Sequence, residues 1–203
     1  MTKQNTRHPL DFYETAPWQV DALTDNLPEL AGSICCPCVG DGSLMERLKS
    51  NRPDIGPFVT NDIDPQRKAD VCGDATKPET WQLLLSKAGG IDWVVENPPF
   101  NAEYQILQQA YHTARLGVIF MARISFAEPT RERGPWLAKH PYDKRITLER
   151  YSFTGNGKSD SATTDWLVWA KVPIAKPFGM SAYGYRPKRK DGQKRWLRLN
   201  EAK

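Results

Sequence analysis

Short apolar segments alternate with helical ones along most of this chain, and that alternation limits the folds it can adopt. The segments "IDWVVE" (residues 91–96) and "LGVIFMARI" (Leu116–Ile124) are nearly continuous apolar runs, as expected of strands buried on both faces. Helices are predicted around them, over Pro78–Ala88 and Glu103–Thr113. The pattern predicts an α/β fold, a doubly wound, mostly parallel, Rossmann-like sheet with helices on both faces.

The other predicted elements continue the same alternation. Helices are expected over Ala16–Leu27 and Ser43–Lys49, and strands over Ser33–Pro37, 57–64, 69–76, Lys144–Tyr151 and Asp165–Val172. Two polar segments, residues 125–142 and 153–164, are expected to be loops, the first with a short helix.

Basic residues are concentrated at the C-terminal end of the chain. Residues 186–203 hold eight Lys or Arg against Asp191 and Glu201, so this stretch carries +6, whereas the whole chain carries +4. Basic arms are common in proteins that bind nucleic acids, and a solvated tail is the simpler alternative. We therefore predict one domain over residues 1–178 and a basic C-terminal tail over residues 179–203.

The sequence gives no sign of a membrane, secretory or metal-binding protein. It has no run of about 18 apolar residues, and its N-terminus lacks the apolar stretch of a signal peptide. Cys35, Cys36 and Cys38 are too close for disulfides among themselves, and Cys72 stands alone without ligand spacing. We expect no membrane association, no metal and buried, reduced thiols, which is typical of the cytoplasm.

Polar or glycine-rich turns directly follow four of the predicted strands. They are "VGDG", "NDID", "GDAT" and "NPPF". The carboxyl ends of parallel strands meet at one edge of a doubly wound sheet, where ligands bind at the switch point. The four turns therefore predict a ligand cleft.

Each strand end has a possible part in binding. Gly40 and Gly42 permit close backbone approach to a ligand, or only connect a strand to a helix. Asp62 or Asp64 could accept both hydroxyls of a ribose. Asp74 could accept from an adenine amino group, or cap the helix that follows.

In this order, the motifs resemble those of S-adenosylmethionine-dependent DNA adenine-N6 methyltransferases of the small phage or prophage type. The resemblance covers roughly residues 11–172, includes "DFYETAPWQVDAL" near the N-terminus, and is most specific at "NPPF". It implies S-adenosylmethionine as cofactor, DNA as partner and a bacterial or phage-infected host cell. The implied cofactor residues are Tyr13, Thr15, Pro37, Gly40, Asp41, Gly42, Asp62, Ile63, Asp74, Ala75 and Asn97.

The resemblance implies that Asn97, Pro98, Pro99 and Phe100 are catalytic. The side-chain oxygen of Asn97 and the carbonyl of Pro98 would accept from the two hydrogens of the target amine, which frees the nitrogen lone pair for methyl transfer. The prolines hold both acceptors rigidly, and Phe100 would stack on a base flipped out of the duplex.

Two loops are expected to face the target. The predicted substrate-binding residues are Phe100, Arg131, Arg133, Lys144 and Arg145, with Trp136, Tyr151 or Phe153 as further candidates for a base pocket. Adenine in RNA, cytosine-N4 in DNA and protein glutamine are alternative targets of the same chemistry. A non-catalytic nucleic-acid-binding module is the alternative from another class.

The chain departs from the family pattern in one position that affects the cofactor. The family often has an acid before the proline of the glycine motif, where this chain has Cys36. The contact that this acid makes with the amino-acid end of the cofactor is then either missing or supplied by Asp41.

Overall fold

A computed structural model describes residues 13–149 and 163–175, and the backbone of two further strands at 180–184 and 196–198. Its helices are α1 (Pro17–Asn26), α2 (Ser43–Asn51), α3 (Pro78–Ala88), α4 (Glu103–Thr113) and α5 (Gly134–Lys139), with a 3₁₀ helix at Ile124–Ala127. Its strands are β1 (Ile34–Cys36), β2 (Phe58–Asp62), β3 (Val71–Cys72), β4 (Trp93–Glu96), β5 (Gly117–Arg123), β6 (Lys144–Leu148), β7 (Thr164–Ala170), β8 (Met180–Gly184) and β9 (Trp196–Arg198).

All of these strands belong to one sheet, in the order β3-β2-β1-β4-β5-β7-β6-β8-β9. The strands from β1 to β5 run parallel, while β7 is antiparallel to both of its neighbours, β5 and β6. The chain winds outward from β1 in one direction and from β4 in the other. The predicted doubly wound, mostly parallel sheet is therefore confirmed.

Helices cover both faces of the sheet because the side chains of each central strand alternate between two cores. In β4, Trp93 and Val95 pack on the side that holds α1 and α2. Val94, between them, packs on the opposite side with α3 and α4. Both faces of the strand are thus apolar, which explains its continuous hydrophobic run.

The sheet extends beyond the predicted end of the domain at residue 178. β8 pairs in parallel with β6, and β9 pairs with β8, so two strands within residues 179–203 continue the sheet. The rest of that stretch lies outside the described residues. Part of the predicted tail is therefore an extension of the sheet edge.

The thiols differ in their surroundings. Cys35 and Cys36 are buried in β1, and burial raises the pKa of both. Cys72 is exposed, contrary to the expectation of buried thiols, because β3 is the edge strand of the sheet. Among the described residues, no helix is both long and apolar enough to cross a membrane.

Substitution of Gly117, the first residue of β5, tests the packing of the sheet core. A methyl group at Gly117 would meet the buried ring of Trp93 and lie 2.6 Å from the carbonyl oxygen of Trp169. We expect Gly117→Ala to lower the free energy of unfolding by about 3 kcal/mol, the upper end of ordinary overpacking, because neither neighbour can move away. Urea denaturation followed by circular dichroism measures this.

Gly89→Ala is the matched control. Gly89 has a φ of 66° and open space around it, so the added methyl carries only the left-handed backbone penalty of about 1–2 kcal/mol. Equal losses in the two variants would contradict the packing described for Gly117.

Candidate functional site

A cleft opens to solvent at the carboxyl ends of β1 to β4, and the space between its walls, open solvent included, is about 780 Å³. Nine of the eleven predicted cofactor residues line it, namely Tyr13, Thr15, Gly40, Asp41, Asp62, Ile63, Asp74, Ala75 and Asn97. The four strand ends therefore meet in one cleft.

Asp62 connects the end of β2 to the turn after β1. It is buried, and one carboxylate oxygen accepts the N–H of Gly40 at 2.8 Å while the other accepts the N–H of Asp64 at 2.9 Å. Each oxygen keeps a lone pair for a ligand. Asp64, the alternative candidate, pairs with Arg67 at 3.6 Å and is not among the cleft-lining residues.

Pro37 and Gly42 are the two predicted residues that do not line the cleft. Pro37 is buried, and its carbonyl accepts from the side-chain amide of Asn61 at 2.8 Å. Gly42 precedes α2 with a φ of 83°, a backbone conformation that favours glycine. Both residues shape the turn that carries Gly40 rather than facing a ligand.

Asp74 and Ile63 lie at the β2–β3 end of the cleft. One oxygen of Asp74 accepts from the backbone N–H and the hydroxyl of Thr76, which together hold the pKa of Asp74 below its usual value. Asp74 thus closes its own turn, and the residue that precedes α3 is Lys77, not Asp74. Ile63 is 56% exposed, which leaves an apolar side chain facing the cleft.

The orientation of the Asn97 side chain is fixed by the N-terminal segment. Its amide nitrogen donates to the carbonyl oxygen of Tyr13 at 3.0 Å and to the hydroxyl of Thr15 at 3.1 Å. A carbonyl oxygen can only accept, so the nitrogen of the amide must face Tyr13. The amide oxygen of Asn97 is thereby turned away from Tyr13 and remains available as an acceptor.

The two prolines after Asn97 hold a rigid turn. Pro98 is buried, and the carbonyl of Pro99 accepts the N–H of Ala102 at 3.0 Å. No described residue donates to the carbonyl of Pro98. This carbonyl and the Asn97 side-chain oxygen are two acceptors, one residue apart, on a backbone with little freedom.

Phe100 lies beside two groups at the rim of the cleft. Its ring centroid is 5.5 Å from that of Tyr13, and the guanidinium carbon of Arg123, at the end of β5, lies 4.3 Å from it. No described carboxylate forms an ion pair with Arg123. Arg123 reaches the Phe100 ring because β5 lies beside β4 in the sheet, a pairing that the sequence patterns do not specify.

Glu96 is the main site residue that the sequence patterns did not single out. It is the last residue of β4, 2% exposed, and it lines the cleft. Its oxygens accept the N–H groups of Cys38 at 2.6 Å and Asn97 at 2.8 Å. Burial raises the pKa of Glu96 to about 8, with a further contribution from Asp62. The sequence signal that could have indicated Glu96 was an acid at the end of an otherwise apolar strand.

The predicted phosphate-binding residues are not all at the cleft. Lys144 is buried and donates to the carbonyl of Asn26 at 2.9 Å, and Arg145 pairs with buried Asp165 at 2.8 Å. Both lie at the start of β6, which is three strands away from β4 in the sheet, and neither lines the cleft. The structure therefore does not bring Lys144 and Arg145 to the site.

The loop after β5 carries the other two predicted basic residues. The guanidinium of Arg133 donates to the carbonyls of Ser125 and Glu128 at 2.7 and 3.1 Å, so it holds the loop together. Arg131 is exposed. Trp136 is half-buried and stacks on His140 with ring centroids 4.6 Å apart, whereas Tyr151 and Phe153 lie outside the described residues.

The fold is that of class I S-adenosylmethionine-dependent methyltransferases. Similar solved structures include the methyltransferase subunit of a type I restriction-modification system from Streptococcus thermophilus, with 12% identity and a TM-score of 0.53 over 79% of this chain and 45% of that one. A Listeria monocytogenes protein assigned to the class I methyltransferases has 13% identity and a TM-score of 0.51, over 85% and 64% of the two chains. The type IIG restriction endonuclease BpuSI has 12% identity and a TM-score of 0.52, over 77% and 25%.

These likenesses concern the fold alone, because the identities are 12–13%. The chain spans between a quarter and two thirds of the length of those structures. No model of a protein family matches the sequence, and no curated protein matches it.

Removal of the Thr15 hydroxyl tests the hydrogen bond that helps to orient the Asn97 side chain. Thr15→Val keeps the side-chain shape but removes one acceptor of a partly buried amide nitrogen. We expect the free energy of unfolding to fall by about 1–2 kcal/mol, the scale for a buried hydrogen bond with one partner lost. Thr113→Val is the control, since its hydroxyl bonds only within α4, and a loss as large there would contradict a special role for Thr15.

Proposed function

We propose that this protein transfers a methyl group from S-adenosylmethionine to the exocyclic N6 amine of adenine in DNA. The observation that carries the proposal is the arrangement of Asn97, whose amide nitrogen is held by Tyr13 and Thr15 so that its oxygen stays available beside the cleft. The class I methyltransferase fold supports the coarser part, a methyltransferase that uses this cofactor.

The cleft suits an adenosyl group at its β2–β3 end. Asp62 keeps a lone pair on each oxygen for the ribose hydroxyls, and the second oxygen of Asp74 accepts from no described residue. Ile63 offers an apolar surface for the adenine ring. S-adenosylmethionine, when bound here, would supply an electrophilic methyl group on its sulfonium.

The two acceptors beside the cleft suit an amine substrate. The lone pair of an adenine N6 amine is delocalised into the ring, which makes it a poor nucleophile. Hydrogen bonds from its two N–H groups to the Asn97 oxygen and the Pro98 carbonyl favour a pyramidal nitrogen with its lone pair free. These bonds strengthen as the nitrogen becomes positive, so they stabilise the transition state more than the bound substrate.

DNA is the favoured substrate for three reasons. Residues 186–203 carry +6, which suits a polyanion. Two of the similar folds come from restriction systems, a type I methyltransferase subunit and a type IIG endonuclease. At the site itself, Arg123 places a cation over the Phe100 ring, where a flipped base and its phosphate would arrive.

The direct test is to incubate the protein with tritiated S-adenosylmethionine and DNA, then to digest the DNA and identify the labelled nucleoside. N6-methyl-2′-deoxyadenosine is the expected product. Label in RNA, at cytosine N4 or in protein would move the activity to one of the alternative amines. Absence of label with all of these, together with no binding of S-adenosylhomocysteine, would favour a non-catalytic module.

Asn97→Ala and Phe100→Ala separate catalysis from binding. Asn97→Ala removes a preorganised acceptor, so the single-turnover methylation rate should fall about 10²–10³-fold while equilibrium DNA binding changes little. Phe100→Ala should weaken DNA binding as well, because stacking contributes about 1–3 kcal/mol per base already in the ground state. Fluorescence anisotropy measures the binding.

Thr15→Val is the control for the hydrogen bond that orients Asn97. It loosens the Asn97 amide yet keeps the catalytic oxygen, so its rate should fall far less than that of Asn97→Ala. A wild-type rate in Asn97→Ala would mean that the turn has no part in the chemistry.

A further inference from the structure

Glu96 is a buried carboxyl group without a cation beside it. It is 2% exposed, lines the cleft, and forms no ion pair with any Lys, Arg or His in the described part of the chain. Its two hydrogen bonds come from neutral backbone N–H groups, of Cys38 and Asn97. Since burying a charge is costly unless it is paired, this position favours a ligand that brings its own positive charge.

The charges around Glu96 are acids and thiols. Asp62 approaches from β2, Cys35 and Cys36 belong to β1, and Cys38 lies in the turn after β1. Burial raises the pKa of all three thiols, which keeps them uncharged. The thiols therefore add no charge there, and Glu96 and Asp62 are the carboxyl groups of this cluster.

The strand order tells which part of a cofactor Glu96 would meet. The cleft runs along β3-β2-β1-β4, three strand spacings or about 14 Å. Asp74 and Ile63 mark its β3–β2 end, and Asn97 marks its β4 end. With adenosine at the first end and the reacting methyl beside Asn97, the amino-acid part of the cofactor falls at the β1–β4 end, next to Glu96.

We propose that the carboxylate of Glu96 binds the α-ammonium group at the amino-acid end of S-adenosylmethionine. This inference rests on the cofactor of the proposed function. Each oxygen of Glu96 has one lone pair beyond its backbone hydrogen bond, so the group can receive an ammonium without giving up the bonds that hold the turn. Asp41, the alternative for this contact, is exposed and accepts the N–H of Ser43 at 3.0 Å. Cys36 is uncharged and packs into the core between β1 and α2.

The assignment has a consequence for pH. With a pKa of about 8 in the free protein, Glu96 is protonated at pH 6 and must lose that proton to receive a cation. Affinity for an α-ammonium ligand should therefore rise with pH, by up to about tenfold per unit, and level off near pH 8. Glu96→Gln should remove this dependence.

The test compares two ligands by isothermal titration calorimetry. S-adenosylhomocysteine carries the α-ammonium group, and 5′-methylthioadenosine lacks the whole amino-acid end. In Glu96→Gln, affinity for S-adenosylhomocysteine should fall about 10–100-fold more than affinity for 5′-methylthioadenosine, the scale for a hydrogen bond to a charged group. The amide nitrogen that this substitution introduces would face one backbone N–H donor, so a small loss shared by both ligands is expected, and the difference is the readout.

Three outcomes overturn the assignment. Equal losses for both ligands would make Glu96 a structural residue of the turn. A selective loss in Asp41→Asn but not in Glu96→Gln would assign the ammonium to Asp41. A wild-type protein that binds 5′-methylthioadenosine as tightly as S-adenosylhomocysteine would mean that no group recognises the ammonium. Failure of the cofactor part of the proposed function is distinct, because the wild-type protein would then bind neither ligand, and another methyl acceptor in place of DNA would leave this inference unaffected.

Discussion

Two buried carboxylates hold the turn that follows β1, and the candidate site is built around that turn. Asp62 accepts the N–H of Gly40, and Glu96 accepts the N–H of Cys38. Because β1 lies between β2 and β4, the two acids reach the turn from opposite sides. A buried N–H without an acceptor costs about 1–3 kcal/mol, so these bonds fix the backbone where a ligand has to approach closely.

The acids of the cleft close turns and still have lone pairs to spare. Asp62 and Asp74 close turns with one set of lone pairs and keep another set toward the cleft. Carboxylates suit this arrangement because each oxygen can accept two hydrogen bonds. Hydrogen bonds within the protein thus hold these turns, which reduces the ordering that binding of a ligand would otherwise require. It follows that loss of such an acid disturbs the backbone of the turn that it closes.

Some basic residues make contacts within the fold, and others remain near the cleft. Lys144, Arg145 and Arg133 are engaged with carbonyls or with Asp165, and they hold β6 and the loop after β5. Positive charge near the cleft comes instead from Arg123, over the Phe100 ring. Position in the sheet decides which basic residues can meet a polyanion, and a count of Lys and Arg does not.

The sequence by itself determined the strands β1–β7 and the helices between them, their alternation and the list of strand ends. The bounds of α3 and α4 agree with the predicted Pro78–Ala88 and Glu103–Thr113, and nine of the eleven predicted cofactor residues line the cleft. Apolar runs, glycines and prolines act locally, over a few residues, so the sequence alone expresses them. The topology rules for parallel sheets then bring the strand ends together.

Only the tertiary structure decided the contacts between distant parts of the chain. Glu96 meets Cys38 across 58 residues, and Asn97 meets Tyr13 across 84. No periodicity encodes which carboxylate is left without a cation, or which way an amide faces. For the same reason Lys144 was expected at the site and instead donates to the carbonyl of Asn26, since its contacts depend on where β6 lies in the sheet. The chemistry of the cleft thus depends on pairings between strands that only the folded chain creates.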